Sequence, residues 1–220
     1  MKNTVVLEML KEGRIDELKS LLTDEIYHDS LKKNVGAKER YAAMKRYFKY
    51  VDKPNPCCHY PCDNVKVNGE IYNGFMDGYS FVITKEPLGE MDTYNEEEHG
   101  PYFKLDGFVN YTNYTEVDQV DINKVLAEAK SKGYKFKKAE MGSDFRYMLR
   151  YKDGGYKMSL LDRTFSIVND GNVAKVYYKD RLSMLMIETS IGIAGILPMN
   201  LEKRDASQYE KIFADEMVIQ

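Results

Sequence analysis

The chain has no tryptophan, and among its 220 residues only three cysteines, three histidines and six prolines. Each shortage removes a class of explanation. An odd cysteine count fits reduced thiols better than a disulfide framework. A chain this long buries about 70% of its unfolded surface, so no covalent staple is needed. Three histidines, His28, His59 and His99, offer little to base-assisted nucleophilic catalysis. No apolar run approaches the roughly 18 residues that cross a bilayer. The opening MKNTVVLEMLKEGRIDEL places acids in its first turns and has no small-residue cleavage site, so it is not read as a signal peptide. A cytoplasmic protein with no membrane partner is expected. There is no glycine-rich phosphate loop, and the sequence implies no cofactor. A net charge of −3 excludes a grossly basic nucleic-acid binder but leaves room for a local basic face.

Tyrosine is plentiful instead, at 18 residues. Its ring suits half-buried strands whose hydroxyl stays wet. Hydrophobic residues at 43%, charged residues at 30% and a mean hydropathy of −0.54 are those of an ordinary globular protein.

Residues 4–28 read as two short helices broken near Gly13, the second with Ile15, Leu18, Leu21, Leu22 and Ile26 at helical spacing. Residues 38–53 predict the clearest helix. Tyr41, Met44, Tyr47, Phe48 and Val51 share one face, and Lys38, Lys45, Arg46, Lys49 and Lys53 fall in a separate arc. Pro54 and Pro56 stop it. Strands are expected over 65–84, with tight turns at Asn68-Gly69 and Asp77-Gly78. An acidic loop follows over 89–100, then a strand over 103–111 and a helix over 121–132 capped by Asp121. Further strands are expected at 145–151, 156–160, about 173–179, 183–189 and 192–197, with a short helix from Leu161 to before Gly171. A helix followed by strands thus recurs near 38–84, 121–160 and 161–197. Asp-Gly and Asn-Gly turns make hairpins, so the fold class is α+β with a mainly antiparallel sheet.

Several short patterns compete for chemistry. Cys57, Cys58, His59 and Cys62 in PNPCCHYPC suit zinc by ligand type. Structural sites usually draw their pairs from separate segments, however, and this chain has no second cluster. A proline-rich turn with incidental thiols is the alternative. IGIAG carries Gly192 and Gly195 late in the chain with no helix behind it, so it reads as a strand where small residues permit close approach. An enzyme would need acids such as Asp77, Asp106 or Asp144 to converge in one pocket. No catalytic residue is singled out. The cationic arc offers phosphate contacts, or is only a solvated face.

In MSLLDRTF at 158–165, LPMNL at 197–201 and YNGFMDGYSFVIT at 72–84, the chain resembles bacterial DNA polymerase sliding clamps. There a YLLDAL-like helix leads into strands, and the chain closes on an MPMRL-like ending. The resemblance implies helices packed on one side of a curved antiparallel sheet. In clamps such helices line a pore around duplex DNA, which would give Lys38, Lys45, Arg46, Lys49 and Lys53 phosphates to contact. It also implies a hydrophobic pocket near Leu197, Pro198 and Met199 that receives peptide motifs of replication proteins. The expected organisation is an N-terminal helical extension over 1–36, a clamp-like domain over 37–201 and a tail over 202–220. The expected role is a non-enzymatic binding or scaffold protein. A protein-interaction module that keeps the fold without binding DNA is the alternative, and an enzyme is a further one.

The chain departs from the family in three places. Its length suffices for a fraction of a ring, so closure would require an oligomer. Asn200 replaces the family's arginine. Nineteen residues also follow Leu201, among them QYEKIF at 208–213, which loosely resembles a clamp-binding peptide and is expected to fold back over the pocket region.

Overall fold

The computed structural model describes residues 3–51, 53–109, 114, 116–134, 148–199 and 217–218. Of the tail 202–220 expected to return over the pocket, 202–216 and 219–220 lie outside them, as does the end of the expected strand at 110–111.

Helices α1 (Asn3–Lys11) and α2 (Ile15–Lys33) flank Gly13, whose φ of 70° suits a residue without Cβ. The second helix runs past the expected end at 28. Its apolar stripe does not seal a core: Leu18 is buried, but Ile15, Leu21, Leu22 and Ile26 are exposed. The helix leans on the rest of the chain through Tyr27, whose ring centroid lies 4.4 Å from that of Tyr41.

Helix α3 (Ala37–Tyr47) is shorter than the expected 38–53, and a 3-10 turn (Phe48–Tyr50) follows it. Pro54 bars an α-helix from continuing through it, because its ring would clash with the carbonyl of residue 50. Aromatic packing fixes the turn: Phe48 stacks on Phe75 at 5.6 Å and meets Tyr47 edge-on at 5.2 Å. Arg40 is buried on the inner face of α3, where an apolar residue would be expected. Its Nη2 and Nε donate to Glu86 Oε1 at 2.7 and 3.0 Å. Its Nη1 bonds the carbonyls of Val35 and Asn169 at 2.8 and 3.0 Å.

Strands β1 (Cys62–Val67), β2 (Glu70–Met76) and β3 (Ser80–Thr84) form a meander. Asn68 and Gly69 turn the first hairpin with φ of 50° and 83°, the geometry of a type I′ turn. The acidic 89–100 segment contains one exposed helical turn, α4 (Glu96–His99), capped by the Asn95 side chain. No strand forms over 103–109. A 3-10 turn at Leu105–Gly107 lets Leu105 sink over Gly74, where a Cβ would lie 3.0 Å from Leu105 Cδ1.

Strand β4 (Glu116–Val120), not anticipated from the sequence, precedes α5 (Ile122–Ser131), whose cap is Asp121. Then come β5 (Met148–Tyr151), β6 (Gly154–Lys157), α6 (Met158–Val168), β7 (Ala174–Tyr178), β8 (Leu185–Glu188), β9 (Gly192–Ile196) and β10 (Met217–Val218). Helix α6 takes over the end of the strand expected at 156–160.

The large sheet has seven antiparallel strands in the order β1-β2-β3-β9-β8-β7-β4, and β10-β5-β6 form a small second sheet. Two units of the same order, α3-β1-β2-β3 and α6-β7-β8-β9, meet where β3 pairs antiparallel with β9, and α3 packs on α6. These are the first and third of the three helix-then-strands segments in the sequence. The middle one diverges, because its hairpin β5-β6 joins the small sheet. One face of the large sheet, with Phe75, Val82, Ala194, Ile196 and Ile187, packs in the same core as α3, α5 and α6. The other face carries Phe81, Ile83, Met76 and Met186, covered in part by the segment holding Tyr94, Tyr102 and Leu105.

Candidate functional site

The turn between β2 and β3 positions the site. Asp77 is buried, and its Oδ1 accepts the N–H groups of Tyr79 and Ser80 at 2.8 and 2.7 Å and the Ser80 hydroxyl at 3.0 Å. A carboxylate closing on its own backbone two residues ahead defines an Asx turn. Gly78, at φ 81°, makes that reversal without strain. Its other oxygen, Oδ2, accepts from Arg163 Nη2 of α6. Arg163 also lies 4.8 Å from the ring centroid of Tyr47, whose hydroxyl meets Ser80 Oγ at 3.1 Å. Burial pushes the Tyr47 phenol up to about 12 and lowers the Arg163 guanidinium from its ordinary value. The phenol therefore stays neutral at ordinary pH, and arginine retains its charge even so. One buried ion pair thus ties the turn to the helical layer beneath it.

Above that anchor, the Tyr79 carbonyl accepts the N–H of Leu197 at 2.9 Å, extending the β3–β9 pairing by one residue. Phe81 lies across Gly195, where a Cβ would come within 2.3 Å of its ring. Opposite stands the Phe103–Phe108 segment, with the Phe108 ring 5.2 Å from Phe103 and 6.0 Å from Phe81. Between them opens a cavity of about 240 Å³ lined by Met76, Tyr79, Phe81, Leu105, Met184 and Leu197 among others. Its lining is almost wholly apolar. Tyr79 is 44% exposed, Phe103 41%, Phe108 39% and Leu197 37%, so large apolar side chains stand in water around one opening.

Of the three partner-binding residues expected from the sequence, Leu197 lines the cavity. Pro198 and Met199 are half-buried, and the Met199 N–H turns to the Gly155 carbonyl of the small sheet at 2.8 Å. Sequence reasoning missed Phe103, Leu105 and Phe108, because their alternation resembles a strand. The Asp106-Gly107 turn signal inside that stretch was the available clue.

The five cations are not one arc. Lys38, Lys45 and Arg46 project from α3, Lys49 lies on the following 3-10 turn, and Lys53 sits beyond both with its ammonium 4.7 Å from the Tyr79 ring centroid. Lys45 lies over Tyr41 at 4.8 Å.

The cysteines do not gather with His59. Cys57, Cys58 and Cys62 are buried in the apolar cluster beneath Tyr102, and burial pushes the Cys58 and Cys62 thiols up. His59 is exposed, with Nε2 2.5 Å from the Lys53 carbonyl. Among the described residues no three His, Cys, Asp or Glu side chains are grouped to hold a metal ion. Asp77 is committed to Arg163, while Asp144 and the Asp106 side chain lie outside the described residues. No described helix is long and apolar enough to cross a membrane.

No protein-family model and no curated protein matches the chain. Among solved structures it is similar to one described as a "Putative DNA polymerase III beta subunit" from Eubacterium rectale, at 13% identity and a TM-score of 0.47. The match covers 76% of this chain and 64% of that one.

Proposed function

We propose that this protein is a non-catalytic binding or scaffold protein, related to DNA sliding clamps, that takes a short peptide with apolar side chains into the cavity beside Leu197. The observation supporting this reading is the cavity itself. It is apolar, open, and rimmed by exposed side chains, of which Tyr79 and Leu197 have backbones held by the β3–β9 pairing and the Asp77 turn. A preorganised apolar recess needs little reordering to accept an anchor side chain. The LPMNL motif places its first residue in this wall, which suits partner peptides of the kind that bind replication clamps.

Leu197→Asp is expected to weaken binding of a labelled clamp-type peptide, containing glutamine, leucine and phenylalanine, by about tenfold or more, as loss of a central apolar contact does. The melting temperature should change little, because the side chain is already partly in water. Fluorescence polarisation checks the first statement and thermal denaturation the second. Equal affinity for the wild type and Leu197→Asp would refute the reading.

A second reading, duplex DNA binding, draws support from the outward placement of Lys38, Lys45 and Arg46 on α3, with Lys49 following. Neutralising three phosphates predicts roughly a 40-fold loss of affinity between 50 and 200 mM salt, from a slope of about 0.9 per phosphate. Lys45→Glu with Arg46→Glu should abolish binding to a labelled duplex. No binding of wild type at 50 mM salt would eliminate this reading.

A further inference from the structure

We infer that Lys53 sets the specificity of the cavity, selecting peptides in which an acidic side chain adjoins the apolar anchor. The inference rests on the peptide-binding reading and narrows its ligand. Lys53 lies far in sequence from the cavity wall, yet its side chain runs along the turn that forms the rim. Its Cε and Cγ would stand 3.6 and 3.8 Å from a Cβ placed on Gly78, and its ammonium lies 4.7 Å from the centroid of the exposed Tyr79 ring. Gly78 and Tyr79 both line the cavity. The lysine stem is thus packed against the rim and its charge held at a ring face, so part of its rotamer freedom is already lost before a ligand arrives.

No carboxylate of the described residues forms an ion pair with this ammonium. The carboxylate nearest in sequence to the turn, Asp77, faces the other way, into Arg163. An apolar recess with a cation held at its rim complements a peptide carrying an apolar side chain beside a carboxylate. Rim charges of this type change specificity and association rate more than they change the total affinity.

Three labelled peptides test it: Gly-Ser-Asp-Phe-Leu-Ser-Gly and its counterparts with asparagine or lysine in place of aspartate. On the wild type at 50 mM salt the order should be aspartate, asparagine, lysine, with about a fivefold step at each exchange, shrinking at 500 mM salt. Lys53→Gln should flatten the order and Lys53→Glu should reverse it. Both variants should retain the wild-type circular dichroism. Three peptides bound equally by wild type would overturn the role of Lys53 while leaving the cavity as an apolar peptide site. An aspartate preference that survives Lys53→Glu would overturn it as well. Failure of all three peptides to bind wild type would remove the peptide-binding reading and this inference together.

Discussion

Gly192→Ala is expected to remove a large share of the chain's stability. Gly192 opens β9 and faces Thr84 of β3. A Cβ there would lie 2.1 Å from the Ile83 carbonyl oxygen and 2.9 Å from Thr84 Cα. Both obstacles are backbone atoms in the central pair of the sheet, so no side chain can rotate away to make room. Overpacking of ordinary cores costs about 1–3 kcal/mol. A clash with backbone belongs above that range, at roughly 3–5 kcal/mol, against a total of about 5–15 kcal/mol for a typical domain.

Gly107→Ala is the control: nothing lies within 4 Å of its Cβ position, and its φ is not positive, so its urea midpoint should match the wild type. Gly195→Ala falls between the two. Its obstacle is the Phe81 ring, which can shift, so the loss of stability should be smaller. The shifted ring would change the cavity it lines. A Gly192→Ala unfolding free energy within about 1 kcal/mol of the wild type would mean that β3 and β9 are not in this close register.

The second large effect concerns Arg163 and Asp77. Arg163→Met leaves a carboxylate in a site that is 2% exposed. Removing one partner of a buried pair costs about 3–5 kcal/mol, because the other charge stays desolvated and uncompensated. Asp77→Asn, which keeps an oxygen for the Tyr79 and Ser80 N–H groups, should cost a comparable amount by stranding the guanidinium. The double variant leaves no buried charge and an intact turn. Its loss should fall short of the sum of the singles by roughly 2–3 kcal/mol, as expected for residues in direct contact. Chemical denaturation of the four proteins measures this coupling, and strict additivity would show that the pair does not form. Gly78, Tyr79 and Ser80 sit on this anchor and line the cavity, so the single variants should also weaken peptide binding.

Local signals proved legible where chemistry is local. Asn68-Gly69 predicted its turn because few other residue pairs accept two positive φ angles. Asp121 announced a helix start, and Gly192 and Gly195 were correctly read as sites of close approach. Long-range relations were not legible. Arg40 and Arg163 look like surface arginines on amphipathic helices, and only the fold reveals Glu86 and Asp77 waiting at either end of β3. The cavity was legible by one residue, Leu197, because its walls come from four separated stretches of chain. The arc of five cations assumed a helix running to Lys53. The α-helix ends at Tyr47, and Lys53 lies against Tyr79 instead. The strand expected over 103–111 had the right alternation at its start, but the 3-10 turn at Leu105–Gly107 breaks the extended backbone.

The central pairing of β3 with β9 has a consequence for synthesis. All five residues of β3 are buried in the finished molecule, yet its partner lies roughly 110 residues further along. At ~5–20 residues per second on the ribosome, β3 waits on the order of 5–20 s with one bare apolar edge before β9 emerges. The nascent first half is therefore the stage at which this chain is most exposed to aggregation and most in need of a chaperone.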